Sequence, residues 1–525
     1  MNLLLIIFSL IVFSFIPLIF TKLYKPCIIV SILIVVSSYF FISKNFFFPK
    51  VFYPSEQVFC SNMCFNYYNL LVYSLKNKKL YIGECDESVG DIFFYKLKTT
   101  IEGHNGKQEI TTTVLDTSVY KNKIYLYFGI TPVLLFYLPF NLVTGMFLTD
   151  KIVGFGLGSL IFLLSLFLIK VLGEKFRVDA KITDRKYSPI HVLSVFLLGF
   201  CSLVPFILMR VSIYEVAILT AILLLITSFV VLFFYLKNFP VESLKLSIFC
   251  LSNILVFCLG LFLSLAVGAR PHYVFFIPIF FGAICIMNYY HTKNIRLVIK
   301  QAIIFLIPCV IIGIGLALYN YLRFGSIFDF GFNCQVKPTM FSVESVFKEL
   351  LEVIPDTLKQ TFFKLPDIDT KTFISLVNSS EHKYGNAYIA GIFWMCPIMI
   401  VLFFVADFFK NIYKKDKTLF TIMIVMSCVI LINLTITTLF GVLIRYTFEY
   451  FLFVLILSII MFYYYLNNVK DKLLKRFLNI VFIMIFAWSM FVNTSLMFCE
   501  NNFKDNYDYI ALEGIYYKQM VDFLF

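Results

Sequence analysis

The sequence predicts an all-α polytopic membrane protein of about twelve transmembrane helices, and three observations predict it: composition, apolar runs and the placement of basic residues. Of its 525 residues, 60% are hydrophobic and 14% are charged, and the mean hydropathy is +0.89. Soluble domains contain about 45–50% apolar and 25% charged residues, so most of this chain is expected to lie in a bilayer. The net charge of +13 comes largely from short clusters of Lys and Arg between apolar runs, which is typical of membrane orientation and argues against nucleic acid as a partner.

The apolar runs give the number of helices. A helix needs about 20 residues to cross a hydrocarbon core of about 30 Å, and twelve runs reach or approach that length. They are 3–20, 27–42, 152–169, 190–209, 213–236, 246–267, 272–290, 301–319, 387–406, 418–440, 447–466 and 477–497. A further run, 128–148, contains Pro132 and Pro139, which lack a backbone donor. We expect it to form a membrane-dipping or interfacial helix pair that does not cross.

Basic residues set the orientation, because cytoplasmic turns are enriched in Lys and Arg. Lys22 and Lys25 place the first turn in the cytoplasm, so the next helix leads to an outer polar loop. The loop 170–186 holds six basic residues and is cytoplasmic only if 128–148 does not cross. With that arrangement the short cytoplasmic turns hold 21 Lys or Arg and the short external turns hold three. We therefore expect a cell (inner or plasma) membrane protein with both termini and the long loops extracytoplasmic.

The predicted organisation is one transmembrane domain, 1–525, with a first external loop at 43–148, a second at 320–386 and an external tail at 498–525. In the first loop, the helical spacing of Phe65, Tyr68, Val72 and Leu75 predicts an amphipathic helix that ends at Lys76-Asn77-Lys78-Lys79. Two short strands joined by a turn are predicted at Thr111–Leu115 and Lys123–Phe128. In the second loop, residues 343–354 predict a helix that lies along the membrane surface.

Metal and disulfide chemistry receive little support from the sequence. No group of residues has the spacing of zinc ligands, and the five histidines are scattered. Cys60, Cys64 and Cys85 share the polar loop, so one disulfide pair among them is expected if the loop faces an oxidising compartment.

Arginines at the external ends of the predicted helices are candidates for binding phosphate. The three basic residues of the short external turns are Arg210, Arg270 and Arg445, and Arg323 follows the helix 301–319 on the same side. A guanidinium offers a rigid fork of donors that suits phosphate oxygens. The alternative is that these side chains reach lipid headgroups or pair with carboxylates. That alternative is favoured for Arg210, because Glu215 is near.

Two acidic residues of the first external loop are candidates for a general base. Glu56 precedes the predicted amphipathic helix, and Asp116 begins the turn between the two predicted strands. Each has a structural alternative: Glu56 complements the dipole of the helix, and Asp116 forms an Asx-type turn. Glu449 lies one helical turn after Arg445, so an intrahelical pair is its expected role.

Three segments resemble the GT-C superfamily of membrane glycosyltransferases, in particular bacterial members near glycosyltransferase family 39 and the aminoarabinose transferases. The first segment runs from NYYNL at 66–70 through KLY at 79–81. The second runs from Asp116 to Pro139 and includes KNKIYLYFGITPVLLFYLP. The third combines YNYLRFGSIFDFG at 319–331 with RYTFEY at 445–450. The resemblance implies a GT-C-like fold and covers most of the chain in order, although only these short pieces are distinctive.

The resemblance implies transfer of a sugar from a polyprenyl-phosphate carrier to a glycan, lipid or protein acceptor outside the cytoplasm, usually with inversion. Glu56 or Asp116 would then be the catalytic base, and no metal or further cofactor is required. Substrate binding would fall to two groups of side chains. The arginines Arg270, Arg323 and Arg445 would stabilise the departing phosphate, and the aromatic residues Tyr125, Tyr127 and Phe128 would line the cavity. Two alternatives stay open: a transporter or flippase for lipid-linked sugars, and a non-catalytic relative.

Overall fold

The computed structural model describes most of the chain, and its long apolar helices make it a multi-pass membrane protein. It describes residues 24–43, 59–60, 66–91, 94–103, 106–114, 117–127, 129–174, 189–209, 211–242, 250–331, 334, 355, 358–365, 377–379, 387–440 and 444–497. Within these residues, ten helices are long and apolar enough to cross a membrane: Pro26–Ser43, Asp150–Glu174, His191–Leu208, Ile213–Asn238, Leu251–Ala269, Pro271–Thr292, Ile295–Phe324, Lys417–Thr438, Arg445–Asn468 and Lys472–Thr494. The predicted helices at 3–20 and 343–354 lie outside the described residues.

The helices are numbered here in chain order. They are α1 (Tyr24–Ser43), α2 (Tyr67–Lys76), α3 (Val133–Thr144), α4 (Asp150–Glu174), α5 (Pro189–Cys201), α6 (Val204–Leu208), α7 (Ile213–Glu242), α8 (Leu251–Ala269), α9 (Phe276–Thr292), α10 (Ile295–Phe324), α11 (Ile392–Met395), α12 (Val405–Lys415), α13 (Lys417–Phe440), α14 (Ile444–Asn468) and α15 (Lys472–Met497). Short 3₁₀ segments at Pro271–Phe275 and Pro397–Phe404 precede α9 and α12.

Two compact units divide the chain. The first unit takes its residues from 1–44, 158–210 and 349–505, and the second takes its residues from 45–157, 211–348 and 506–525. In the first unit, α14 is almost completely buried. Its Tyr463 donates to Ser194 Oγ on α5 at 2.7 Å. On the same helix α5, Gly199 accepts a hydrogen bond from Tyr39 of α1 at 2.6 Å.

The second unit is built on close packing of α8 against α10. A Cβ at Gly260 of α8 would overlap the carbonyl group of Phe305 on α10, so only glycine allows the two backbones to approach this closely. Nearby, Gln301 Nε2 donates to Asn253 Oδ1 at 2.8 Å, and both side chains are buried. The opposite face of α10 exposes Ile303, Val310 and further aliphatic residues, as expected where lipid is the solvent.

The predicted helix at 387–406 is wrong as a single α-helix. The segment begins with strand Ala387–Ile389 and continues through α11 and the 3₁₀ segment Pro397–Phe404 into α12. Gly391 breaks the run, because a Cβ there would lie 2.7 Å from the backbone nitrogen of Lys364. Pro397 then lacks the donor that would extend the short helix before it.

The run 128–148 contains one helix where the sequence predicted a pair. Helix α3 has twelve residues and is about 18 Å long, which is shorter than the hydrocarbon core. Its first turn, Val133–Tyr137, is π-helical. The widened turn lets the helix continue through Pro139, and the helix ends at Gly145 in the left-handed conformation, with φ of 75°.

A five-stranded antiparallel sheet follows α2, and the predicted all-α class leaves it out. Its strands are β2 (Gly83–Asp91), β3 (Phe94–Gly103), β4 (Gly106–Val114), β5 (Thr117–Tyr120) and β6 (Lys123–Leu126), in the order β4-β3-β2-β6-β5. Two-stranded pairs are formed by β1 (Phe59–Cys60) with β7 (Phe147–Leu148) and by β8 (Val377–Ser379) with β9 (Ala387–Ile389).

The two strands predicted from the sequence are present but do not pair with each other. β4 pairs with β3, and β6 pairs with β5 across the turn Lys121–Asn122. Both turn residues have positive φ, 49° and 61°, which matches the twist of a two-residue hairpin. The predicted amphipathic helix is present as α2.

Candidate functional site

The amino end of α2 lies against the amino end of α4, and the contact is made by Asn66 and Asp150. Asn66 caps α2 by accepting from the backbone N–H of Asn69 at 2.7 Å. Its Nδ2 donates to Asp150 Oδ1 at 3.0 Å. Asn69 Nδ2 donates to the carbonyl oxygen of Leu148 at 2.8 Å. A carboxylate at two helix amino ends is stabilised by both macrodipoles, so this position favours a charged Asp150.

Tyr137 supplies a second donor to the same carboxylate oxygen. Its hydroxyl makes a short hydrogen bond to Asp150 Oδ1, and the π-helical turn carries it to that position. Tyr137 is 1% exposed. Burial raises the pKa of Tyr137 well above its ordinary value, and the charge and hydrogen bond of Asp150 raise it further. Tyr137 therefore stays protonated and acts as a donor.

Tyr68 is fully buried, and several charged side chains influence its phenol electrostatically. Its ring lies 5.1 Å from that of Tyr137, and its hydroxyl donates to the carbonyl oxygen of Ile213 at 3.2 Å. Burial raises the pKa of Tyr68 well above its ordinary value; Asp150 raises it further, Arg270 lowers it and Glu215 raises it. Two carboxylates and one guanidinium therefore lie within electrostatic reach of one buried phenol.

Glu215 and Arg270 are both located at helix ends. Glu215 is 2% exposed and accepts from the backbone N–H of Ser212 at 3.1 Å and from its hydroxyl, which caps α7. Arg270 follows the last residue of α8, and its backbone N–H donates to Ala266 at 2.9 Å. Its side chain is half-buried. The predicted role of Arg270 in binding phosphate stays a prediction.

A short segment after β6 connects the ends of α8 and α10. The carbonyl oxygen of Leu126 accepts from Arg323 Nη1 at 2.9 Å. A Cβ at Gly129 would overlap the carbonyl groups of Gly268 and Ala269, the two residues before Arg270. Thr131 Oγ1 donates to the carbonyl oxygen of Leu265 at 2.8 Å. This segment, Leu126–Thr131, is called the connecting segment below.

Arg323 is 4% exposed and is occupied by protein contacts. Besides Leu126, it donates from Nη2 to Asn320 Oδ1 at 2.8 Å. Its guanidinium carbon lies 3.9 Å from the ring centroid of Tyr319 and 4.6 Å from that of Phe324. Arg323 thus attaches the sheet to the end of α10.

The aromatic residues predicted to line a cavity have different environments. Tyr125 is 6% exposed, and its ring packs at 5.3 Å from that of Phe324 and at 6.4 Å from that of Tyr81. Burial raises the pKa of Tyr125. Tyr127 is half-buried at the start of the connecting segment, and Phe128 lies outside the described residues.

The remaining predicted residues are either outside the described residues or in the first unit. Glu56, Asp116 and Arg210 lie outside the described residues. Arg445 belongs to the first unit, in the first turn of α14, with its guanidinium carbon 5.4 Å from the ring centroid of Tyr446. Glu449 is 3% exposed, and its carbonyl oxygen accepts from Asn433 Nδ2 at 3.1 Å.

Sequence reasoning missed Asp150 and Tyr137. Thr149 and Asp150 directly precede an apolar run, which is an ordinary helix-start signal and does not indicate a site. Tyr137 lies inside an apolar run, where its type and spacing do not distinguish it. The π-helical turn that aims it at Asp150 has no signature in the residue pattern. Over the described residues, no group of three or more His, Cys, Asp or Glu is arranged to hold a metal ion.

Comparison with known proteins identifies no relative. No family model, no curated protein and no solved structure matches the chain.

Proposed function

We propose that this protein transfers a sugar from a polyprenyl-phosphate carrier to an acceptor on the extracytoplasmic side of the membrane. The observation that carries the proposal is the carboxylate of Asp150, which accepts from Asn66 and Tyr137 and acts electrostatically on the buried phenol of Tyr68 together with Glu215 and Arg270. Acidic groups and a guanidinium at the ends of apolar helices are the groups that such a transfer needs, and the resemblance to GT-C transferases supports the same reaction.

In the proposed reaction, the acceptor oxygen attacks the anomeric carbon while the bond from that carbon to the phosphate oxygen breaks. The proton of the acceptor passes to a carboxylate, and the carrier leaves as polyprenyl phosphate. General-base help of this kind is typically worth about 10²–10⁴-fold. Asp150 is a candidate base together with the predicted Glu56 and Asp116.

Arg270 is proposed to stabilise the negative charge that grows on the departing phosphate. Preorganised donors directed at developing charge are among the largest contributions to catalysis. Tyr137 and Asn66 are proposed to hold the Asp150 carboxylate in one orientation, because both donate to the same oxygen. In this scheme Glu215 keeps the amino end of α7 in place beside Tyr68.

The alternative function is a flippase for lipid-linked sugars, since the same arginine would bind the same phosphate. The two functions differ in the fate of the carrier. In liposomes that contain the purified protein, a labelled polyprenyl-phosphate sugar and a soluble acceptor, a transferase releases free polyprenyl phosphate. A flippase moves the intact carrier between leaflets.

The proposal predicts the response of four carboxylate variants in this assay. The candidate bases are separated by three variants, Asp150→Asn, Glu56→Gln and Asp116→Asn. The variant that lacks the true base should transfer sugar about 10²–10⁴-fold more slowly and still bind the carrier. Asp407→Asn is a matched control, because Asp407 also accepts from a phenol, Tyr465, at 3.1 Å, in the first unit. Transfer at the parent rate in all three test variants would remove the base assignment, and carrier movement without cleavage would remove the transferase proposal.

A further inference from the structure

The carboxyl end of α3 exposes apolar side chains that no other part of the second unit covers among the described residues. Leu142 is 65% exposed and Val143 is 86% exposed. The helix is too short to cross the membrane, and it ends just after these residues, with Gly145 as its cap. An apolar end of this kind is stable where it enters the bilayer interface.

Three exposed lysines lie beside this apolar end. Lys76 Nζ donates to Asn141 Oδ1 at 3.0 Å, and Asn141 directly precedes Leu142. Lys78 and Lys79 follow in a tight turn, in which Lys78 has φ of 58° and the backbone N–H of Lys79 donates to Ser74 at 2.8 Å. The negative end of the α2 dipole accounts for a lysine in the last helical turn. Lys78 and Lys79 lie beyond that turn and are exposed.

Charge and hydrophobicity together define what this surface contacts. A soluble anion would pair with the lysines but leave Leu142 and Val143 in water. A neutral lipid would cover the apolar residues but offer the three exposed ammonium groups no net negative charge, although Lys76 contacts Asn141 and Lys79 lies 5.4 Å from the ring centroid of Tyr81. A phospholipid with a net negative headgroup satisfies both, because its phosphate and acyl chains lie at neighbouring depths.

We propose that Lys76, Lys78 and Lys79, together with Leu142 and Val143, form a binding surface for anionic phospholipid headgroups. The two apolar side chains enter the acyl region, and the lysines contact phosphate at the level above them. This surface, called the basic tip below, holds the carboxyl ends of α2 and α3 at a fixed depth. It does not depend on the proposed sugar transfer, since the lipid is the bilayer and not the carrier.

Depth-dependent quenching tests the basic tip in the full-length protein. The variant Val143→Trp is reconstituted in neutral bilayers that contain a minor fraction of brominated phosphatidylglycerol or of brominated phosphatidylcholine. The signal of the parent protein, whose two tryptophans are Trp394 and Trp488, is subtracted. We expect brominated phosphatidylglycerol to quench the new tryptophan at lower mole fraction, with a preference of about fivefold for each lysine that reaches the headgroup level.

Two lysine series complete the experiment. In the Val143→Trp background, replacing Lys76, Lys78 and Lys79 by Gln abolishes the preference, while replacing them by Arg retains it. Thermal unfolding of both variants is measured to show that each is folded. If neither lipid quenches the tryptophan, the tip lies in water and the proposal is wrong. Equal quenching by the two lipids in the lysine-containing protein removes the proposed headgroup selectivity.

Discussion

Arg270 and Arg323 lie at equivalent places in the second unit, at the carboxyl ends of α8 and α10, yet their surroundings differ. Arg323 is 4% exposed, with both terminal nitrogens donating to protein oxygens and two aromatic rings beside the guanidinium. Arg270 is half-buried and within electrostatic reach of Tyr68, which Asp150 and Glu215 also influence. The sequence assigned both residues to phosphate binding.

An arginine at the end of a helix can therefore use its N–H donors either to hold the protein together or to bind a ligand. The terminal nitrogens of Arg323 donate to Leu126 and Asn320, and these hydrogen bonds attach the sheet to the end of α10. Arg270 is half-buried, and its proposed role is at the departing phosphate. The predictions below separate stability from activity for these two regions.

The largest effect is expected for Arg270→Gln. If Arg270 stabilises charge on the departing phosphate, transfer falls by about 10²–10³-fold, while thermal unfolding changes little. The rate of polyprenyl phosphate release is the measurement. Arg270→Lys is the matched variant: it keeps the charge but loses the planar fork, so an intermediate rate is expected. Parent activity in Arg270→Gln would assign this arginine to structure.

Arg323→Gln is expected to act on stability. The substitution leaves the carbonyl oxygen of Leu126 and the side chain of Asn320 without charged donors, and hydrogen bonds to charged groups contribute about 1.5–3 kcal/mol. A lower midpoint of thermal unfolding in detergent is the expected result. The residual folded protein should transfer sugar at a normal rate per molecule. If Arg323→Gln lost activity without losing stability, Arg323 would have the functional role that is proposed for Arg270.

Gly129→Ala tests the close approach of the connecting segment to the end of α8. The added methyl group would overlap the carbonyl oxygen of Gly268 and would lie 2.7 Å from that of Ala269, and overpacking typically costs about 1–3 kcal/mol, occasionally more. Gly156→Ala on α4 is the control, since a Cβ there meets nothing within 4 Å. The control should be neutral or slightly stabilised, as measured by thermal unfolding of both variants.

The smallest effect on stability is expected for substitutions of Asn66. This side chain caps α2 and donates to Asp150, and the variants Asn66→Ala and Asn66→Asp separate these two roles. Asn66→Ala removes the cap of α2 and costs about 1 kcal/mol. Asn66→Asp keeps the cap but places a second carboxylate beside Asp150. Both variants lose the Nδ2 donor to Asp150, so transfer should fall in both, whereas the midpoint of thermal unfolding should fall mainly in the alanine variant. Transfer at the parent rate in both variants would mean that Asn66 acts only as a cap.

The sequence predicts the parts of this fold that are set by long apolar runs and by helical spacing. The multi-pass architecture follows from the long apolar runs, and α2 follows from the helical spacing of its apolar residues. The sheet was largely missed because β2, GECDESVGD, lacks the alternation of apolar and polar residues that marks a half-buried strand.

The candidate site was predictable only in its residue types. An acid and a guanidinium were expected, but the carboxylate of Asp150 accepts from Asn66 and Tyr137, and no local residue pattern predicts those contacts. Glu56 and Asp116 stay predictions, since both lie outside the described residues.

The connecting segment also limits motion. Its six residues are held at one end by Arg323 and at the other by Leu265, and a fully extended stretch of that length reaches about 20 Å. The carboxyl ends of α8 and α10 therefore cannot splay farther than this tether permits while both attachments persist. Any gating movement in the second unit must either carry the two helix ends together or first release one anchor.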